Sequence, residues 1–244
     1  MKYCYPSKPE LYSNTITQSM KKVLLLLAIA ITACMDSSAQ TDPLQGMRIG
    51  VIGDSYVKNH REPVQNAWHY KLAKRHGMTY YNYGRNGNCV SIDMKVWGPA
   101  MVNRYQQMND SLDIVVVVAG HNDAGRLADA VTDSTTTLSN YREQCTKLCH
   151  GLIEKYPKAY IFWFTPWAND DPNFEVIVNT TKEICGSMGI PVFDAYHNSN
   201  IFARNDNFRQ IFFQGGKRDH AHLNSKGHDR FLPIAEHFIL QYVQ

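Results

Sequence analysis

Apolar stretches of strand length recur along the chain from residue 47 onward, and stretches with helical periodicity separate them. The apolar stretches predict five strands, at residues 47–53, 78–84, 113–120, 159–166 and 190–196. The third of them, DIVVVVAG, is an unbroken and largely β-branched run that is apolar on both faces. Such a run is typical of a strand buried on both sides, so we expect it in the middle of a parallel sheet.

Four other segments show the spacing of amphipathic helices. Proline and glycine bound the first, at residues 63–77, and a long second one ends before Pro157. The third covers residues 174–188 and the last covers residues 224–243. This alternation of strand and helix predicts one α/β domain over residues 45–244, a three-layer α/β/α sandwich with a parallel five-stranded sheet.

Reactive side chains follow the predicted strands at the points where those strands end. Ser55 follows the first strand, Gly87 the second and Asn122 the third, while Asp219 and His222 precede the last helix. Ligands of open parallel sheets bind beyond the carboxyl ends of the strands. We therefore expect these five residues to meet at one edge of the sheet.

The five residue types fit nucleophilic catalysis by a serine. A serine hydroxyl needs a neutral imidazole to take its proton, which His222 can do, and Asp219 can hold the second ring nitrogen. The developing oxyanion needs donors, and the backbone N–H groups of Ser55 and Gly87 with the side-chain amide of Asn122 are candidates. Glycine suits that position because it lets the backbone approach a substrate closely.

The same residues carry a resemblance to the SGNH (GDSL-type) hydrolase family. Its sequence blocks are matched by Gly53-Asp54-Ser55, Asn82-Tyr83-Gly84-Arg85-Asn86-Gly87, Gly120-His121-Asn122-Asp123 and Asp219-His220-Ala221-His222. Tyr56 stands where leucine is usual and Leu223 where proline is frequent. The resemblance implies a flavodoxin-like sheet and a serine esterase without a cofactor, in which Ser55, His222 and Asp219 are catalytic and Gly87 and Asn122 form the oxyanion hole.

These residues allow two alternative interpretations. The nucleophile elbow of α/β-hydrolases would need glycine at position 57, which is Val57. A metal site could be built from Asp219, His220, His222 and His228, with His121 and Asp123 as further ligands. Their spacing does not resemble a compact ligand set, and no metal is expected. The remaining histidines, His60 among them, are expected to be surface or half-buried residues without a role.

The N-terminal segment has the pattern of an export signal. MKKVLLLLAIAITAC, from Met20 to Cys34, combines two lysines, an apolar run too short to span a bilayer and small residues. We interpret residues 20–40 as a signal peptide and residues 1–19 as an extension without structural role. Cys34 lies in a possible lipoprotein box, although cleavage after the small residues at 37–39 fits nearly as well.

Charge excludes one class of partner. The chain has 25 basic and 22 acidic residues, and residues 1–34 contain four lysines and one glutamate, so 21 of each remain beyond that segment. A neutral domain without a basic run has no electrostatic footprint for nucleic acid. The expected location is the periplasm, the outer membrane through a lipidated Cys34, or the exterior.

The expected substrate is a small acyl ester, first of all an O-acetyl group on a carbohydrate. The alternatives are lipid or thioester acyl hydrolysis and a non-catalytic carbohydrate-binding relative. Trp167 follows the fourth strand and could line the substrate mouth, although a place in the core is the more ordinary role for such a ring.

Overall fold

The computed structural model describes residues 1–3 and 42–243, and the fold lies in the compact unit that begins at Asp42. The predicted signal peptide and Cys34 lie outside the described residues. Within the described residues, no helix is long and apolar enough to cross a membrane.

Five parallel strands form one sheet in the order β2-β1-β3-β4-β5. Their bounds are Arg48–Gly53 (β1), Thr79–Gly84 (β2), Ile114–Val118 (β3), Tyr160–Phe164 (β4) and Val192–Phe193 (β5). Every residue of β3 is buried, and β3 lies at the centre of the sheet. The predicted fold class and the predicted place of this strand are both confirmed.

Helices cover both faces of the sheet. The longer ones are Trp68–Arg75 (α1), Leu138–Lys155 (α2), Asn173–Ser187 (α3), Asp206–Phe212 (α4) and Ser225–Leu240 (α5). Short α-helical turns span Ser55–Lys58, Met101–Arg104, His121–Ala124 and Ala195–Asn198, and 3₁₀ turns span Val64–Asn66, Tyr105–Gln107 and Gly216–Arg218.

Alternation along β3 divides the core into two layers. Val116 packs with the apolar sides of α1 and α5, whereas Val115 and Val117 pack with those of α2 and α3. Successive side chains of a strand point to opposite faces, so each layer buries its own cluster against the sheet. This is the α/β/α sandwich that the sequence predicts.

Two predicted elements are shorter than expected. The strand predicted at residues 190–196 is reduced to Val192–Phe193, because the side chain of Asp194 accepts a hydrogen bond from His197 N and starts a helical turn. The helix predicted at residues 63–77 begins only at Trp68, since Ala67 has an extended backbone. Both differences lie outside the strand ends that carry the candidate site.

Strand register brings three loops to one level. Gly53 at the end of β1 pairs with Gly84 of β2 and with Val118 of β3. The segments that follow these strands therefore leave the sheet side by side. They carry Ser55, Gly87 and Asn122.

Candidate active site

Ser55 begins a short helical turn directly after β1. Asp54 caps this turn by accepting a hydrogen bond from Tyr56 N at 2.9 Å. Gly53 has to be glycine, because a Cβ there would overlap the carbonyl oxygen of Val118 and the side chain of Val57. The turn leaves the Ser55 side chain nearly buried, with 7% of the residue exposed.

His222 meets Ser55 across 167 residues of chain. Its Nε2 lies 2.9 Å from Ser55 Oγ. The loop that carries His222 is fixed on both sides: Gln214 N donates to His222 O at 2.8 Å, and Phe213 forms a β-bridge with Leu223. The structure thus brings together the two side chains that the sequence analysis paired.

Asp219 holds the second nitrogen of the same ring. Its carboxylate lies 3.1 and 3.2 Å from His222 Nδ1 and accepts hydrogen bonds from the backbone N–H groups of Ala221 and His222. Burial by itself would raise the pKa of Asp219, but these hydrogen bonds outweigh it and hold the pKa well below its usual range. An ionised acceptor at Nδ1 places the ring proton there and leaves Nε2 free to accept from Ser55.

Two backbone N–H groups at the site have no acceptor among the described residues. Within residues 42–243, neither Ser55 N nor Gly87 N donates a hydrogen bond. Gly87 has φ +67° and lies under the indole of Trp97, so a side chain at this position would both strain the backbone and overlap that ring. Free amides held by such constraints can stabilise developing negative charge.

Asn122 is near both donors but is already engaged. Its Nδ2 donates to Asp54 Oδ2 at 3.1 Å and to Asn88 O at 3.2 Å, which uses both amide hydrogens. The contacts join the loop of Ser55 to the loop of Gly87. To serve an oxyanion as the sequence analysis expects, Asn122 has to share or release one of these hydrogen bonds.

Arg104 holds the loops of Ser55 and Gly87 in place by hydrogen bonds, a role that the sequence did not reveal. The buried guanidinium donates to Asn88 Oδ1 at 2.8 Å, to Tyr83 O at 2.7 Å and to Gly53 O at 3.0 Å. Burial lowers the pKa of Arg104 to about 10, which leaves it charged at neutral pH. One side chain therefore ties the ends of β1 and β2 to the candidate oxyanion loop.

Two further imidazoles, those of His60 and His121, lie near the Ser55–His222 pair. His60 stacks on His222, and Tyr56 Oη lies 3.0 Å from Nδ1 of His121, which lines the cleft. Burial is the largest cause that lowers the pKa of His121 to about 4, and electrostatic interaction with His222 and Arg126 adds to it. Tyr56 thus contacts a residue of the cleft wall.

His228 and Trp167 are structural neighbours of the site. His228 is buried, accepts from Trp68 N at 3.3 Å and lies 3.0 Å from Asn59 Oδ1, so both ring nitrogens have protein partners and it is a poor metal ligand. Trp167 is 4% exposed, donates from Nε1 to Ala221 O at 2.8 Å, and packs in the core. The structure places this ring behind the His222 loop, as the core interpretation expects, instead of on the cleft surface.

An open cleft of about 790 Å³ lies beside the Ser55–His222 pair, and His222 and Asp219 are among the residues that line it. Of the residues that the structure describes, thirteen line it, and all of these except Gly215 and Ala221 have a polar side chain. The arrangement as a whole presents an imidazole-activated hydroxyl, free amide donors and a polar cleft. Such a site can transfer an acyl group from an ester to water.

Comparison with known proteins agrees with this chemistry. A family model described as GDSL-like Lipase/Acylhydrolase matches residues 51–230. No curated protein matches the chain.

Similar solved structures include a Lactobacillus plantarum protein (19% identity, TM-score 0.67, 82% of this chain and 99% of that one). A catalytic mutant of an acetylxylan esterase from Geobacillus stearothermophilus has 18% identity and a TM-score of 0.61, covering 80% and 94%. A family two carbohydrate esterase from Clostridium thermocellum has 13% identity and a TM-score of 0.60, covering 81% and 65%. At these identities the likeness shows a shared fold.

Proposed function

Since the chain belongs to the GDSL-like lipase/acylhydrolase family and is a serine ester hydrolase, we propose that it removes O-acetyl groups from carbohydrates through an acyl-enzyme on Ser55. The observation that carries the substrate class is that most of the residues lining the cleft beside His222 have polar side chains. The proposed chemistry rests on the 2.9 Å contact between Ser55 Oγ and His222 Nε2.

In the proposed reaction, His222 Nε2 takes the proton of Ser55 Oγ as the oxygen attacks the ester carbonyl. The amides of Ser55 and Gly87 stabilise the oxyanion, and Asn122 joins them by releasing one of its present partners. His222 then gives the proton to the departing alcohol, which leaves the acyl group on Ser55. Water, activated by the same imidazole, releases the acid and restores the hydroxyl.

The cleft favours a hydrated alcohol over a lipid. Its lining includes Arg61, Asn169, Arg218 and His220, whose side chains carry hydrogen-bonding groups suited to hydroxyl groups. A cleft for a long acyl chain would instead be lined mainly by apolar side chains. Two of the similar solved structures are a family two carbohydrate esterase and an acetylxylan esterase, which supports the same substrate class by analogy.

Export is part of the proposal and rests on sequence alone. The apolar run after Met20 and the small residues near Cys34 suit a signal peptide, with lipidation at Cys34 or simple cleavage as the two routes. Acetylated polymers outside the cell would then be accessible to the enzyme.

The test is a substrate panel. Wild-type protein is expected to release acetate from acetylated xylo-oligosaccharides and to act poorly on octanoyl esters and acyl thioesters, while Ser55→Ala releases none. A preference for the octanoyl esters or the thioesters would favour a lipid or thioester acylhydrolase. Binding of the oligosaccharides without turnover would favour a non-catalytic relative.

A further inference from the structure

A second cavity of about 380 Å³ lies next to the cleft of the candidate active site. Arg204 lines this cavity and donates to the carbonyl oxygen of Asn169, which lines the cleft, and to Tyr196 Oη at 2.7 Å. The Arg204–Asn169 contact therefore joins the walls of the two cavities. Residues 168 and 169, which are adjacent in the chain, line the second cavity and the cleft respectively.

Phe202 gives the second cavity an exposed aromatic wall. The residue is 55% exposed. Phe208 packs edge-on against the ring with centroids 5.3 Å apart, and the Arg230 guanidinium lies 5.9 Å from its centroid. Contacts with Phe208 and Arg230 thus restrict the Phe202 ring. Because the side chain is already ordered, it loses little further rotamer freedom when a ligand binds to its exposed surface.

Amide groups lie beside this ring. Asn200 has a left-handed backbone at φ +56°, and its side-chain amide has no hydrogen-bond partner within the described part of the chain. Asn205 uses Oδ1 to cap α4 through Phe208 N, which leaves its Nδ2 available. The nearby charge of Arg204 is balanced by Asp170, 3.3 Å away.

We propose that the second cavity binds a neutral pyranose unit of an oligosaccharide whose acetylated unit occupies the cleft beside His222. A pyranose ring has an apolar face of C–H groups that suits the negative face of an aromatic ring, and hydroxyl groups at its edge that suit free amides. The volume is sufficient for one sugar, and the charge of Arg204, which lines the cavity, is balanced by Asp170. The proposal deepens the proposed function and rests on it for the identity of the polymer.

The test compares Phe202→Ala with a matched control. Ile211 lies in α4, is 52% exposed and does not line either cavity, so Ile211→Ala removes a similar exposed apolar group without touching the proposed subsite. Binding of xylotetraose and of xylose is measured by calorimetry, and KM is measured with acetylated xylotetraose and with p-nitrophenyl acetate.

We expect Phe202→Ala to raise the xylotetraose Kd and the KM for acetylated xylotetraose about three- to tenfold, the range of a lost aromatic contact. The variant keeps its kinetics on p-nitrophenyl acetate, and Ile211→Ala behaves as wild type throughout. An unchanged Kd for xylotetraose in Phe202→Ala, or no binding of xylotetraose by the wild-type protein, overturns the proposal.

The two proposals fail in different ways. If wild-type protein binds xylotetraose through Phe202 but releases no acetate from its acetylated form, the subsite stands and the proposed ester substrate is wrong. If acetate is released equally well by wild type and Phe202→Ala from acetylated xylotetraose, the proposed function stands and the subsite is wrong.

Discussion

The imidazole of His60 lies flat against the imidazole of His222, with ring centroids 3.9 Å apart and planes 11° apart. His60 and the preceding Asn59 both have left-handed backbones, at φ 47° and 67°. Such conformations cost of order 1 kcal/mol or more for each non-glycine residue, so the surrounding contacts have to hold them. Asn59 is held by Gln214 and His228. This strained segment keeps a second ring against the proposed general base.

From this contact we predict a positioning role for His60. His60→Ala should lower kcat about tenfold with little change in KM for p-nitrophenyl acetate, because a freed His222 ring leaves the productive orientation for part of the time. His60→Phe keeps a flat ring in the same place and should recover most of the lost kcat. Equal loss in the two variants would argue against stacking as the cause.

Gly87 offers a test of the backbone donors. Gly87→Ala should lower kcat by about 10²- to 10³-fold, as loss of one oxyanion donor does, because the methyl group strains a φ of +67° and displaces either Trp97 or the loop. Gly186 lies in α3 with open space around its Cβ position. Gly186→Ala is the control and should keep full activity; similar kinetics in the two variants would contradict a role for the Gly87 amide.

The raised pKa of Asp54 predicts that the free energy of unfolding depends on pH. Burial raises the pKa of Asp54 to about 7, against hydrogen bonds from Tyr56 N and Asn122 and the charge of His222, whereas an unfolded chain has an ordinary aspartate. The folded state therefore holds the extra proton between about pH 4 and pH 7. Its stabilising effect is complete below that window and is lost as the pH rises through it.

Asp54→Asn removes this titration while keeping an acceptor for Tyr56 N. Urea unfolding of wild type and variant from pH 4 to pH 8 should show the wild type losing up to about 4 kcal/mol relative to the variant across the window. Because all other groups titrate in both proteins, the difference isolates Asp54. Parallel curves would mean that its pKa is not raised.

The proposed base is tested by His222→Ala. Without it, Ser55 Oγ has no imidazole at 2.9 Å, and turnover should fall by at least about 10³-fold while the circular dichroism spectrum is unchanged. His150→Ala, an exposed histidine of α2, serves as the control. Near-normal turnover in His222→Ala would reassign the base, with His220 as the next candidate.

The sequence predicted the sheet because hydrophobic periodicity is a local signal. The apolar run of β3 and the helical spacing of α2 and α3 need no knowledge of the rest of the chain. The predicted end of β5 was wrong. Asp194 could continue a strand or cap a helix, and only its hydrogen bond from His197 N decides between these two conformations.

For the candidate site too, the sequence predicted the features with a local signal and missed those without one. Ser55 and His222 could be paired because each chemical type stands at a recognisable strand or helix boundary. The stacking of His60 depends on two left-handed residues that no local pattern signals, and the role of Arg104 depends on carbonyl groups from two separate strands. Contacts set by backbone conformation or by distant carbonyls leave no periodic trace in a sequence.

The most direct measurement of the central claim is the intact mass and peptide map of the protein after treatment with a fluorophosphonate. A nucleophilic hydroxyl beside His222 predicts one covalent adduct, on the peptide that contains Ser55, and none in Ser55→Ala or His222→Ala. An unlabelled wild-type protein, or an adduct that persists in Ser55→Ala, would contradict the account.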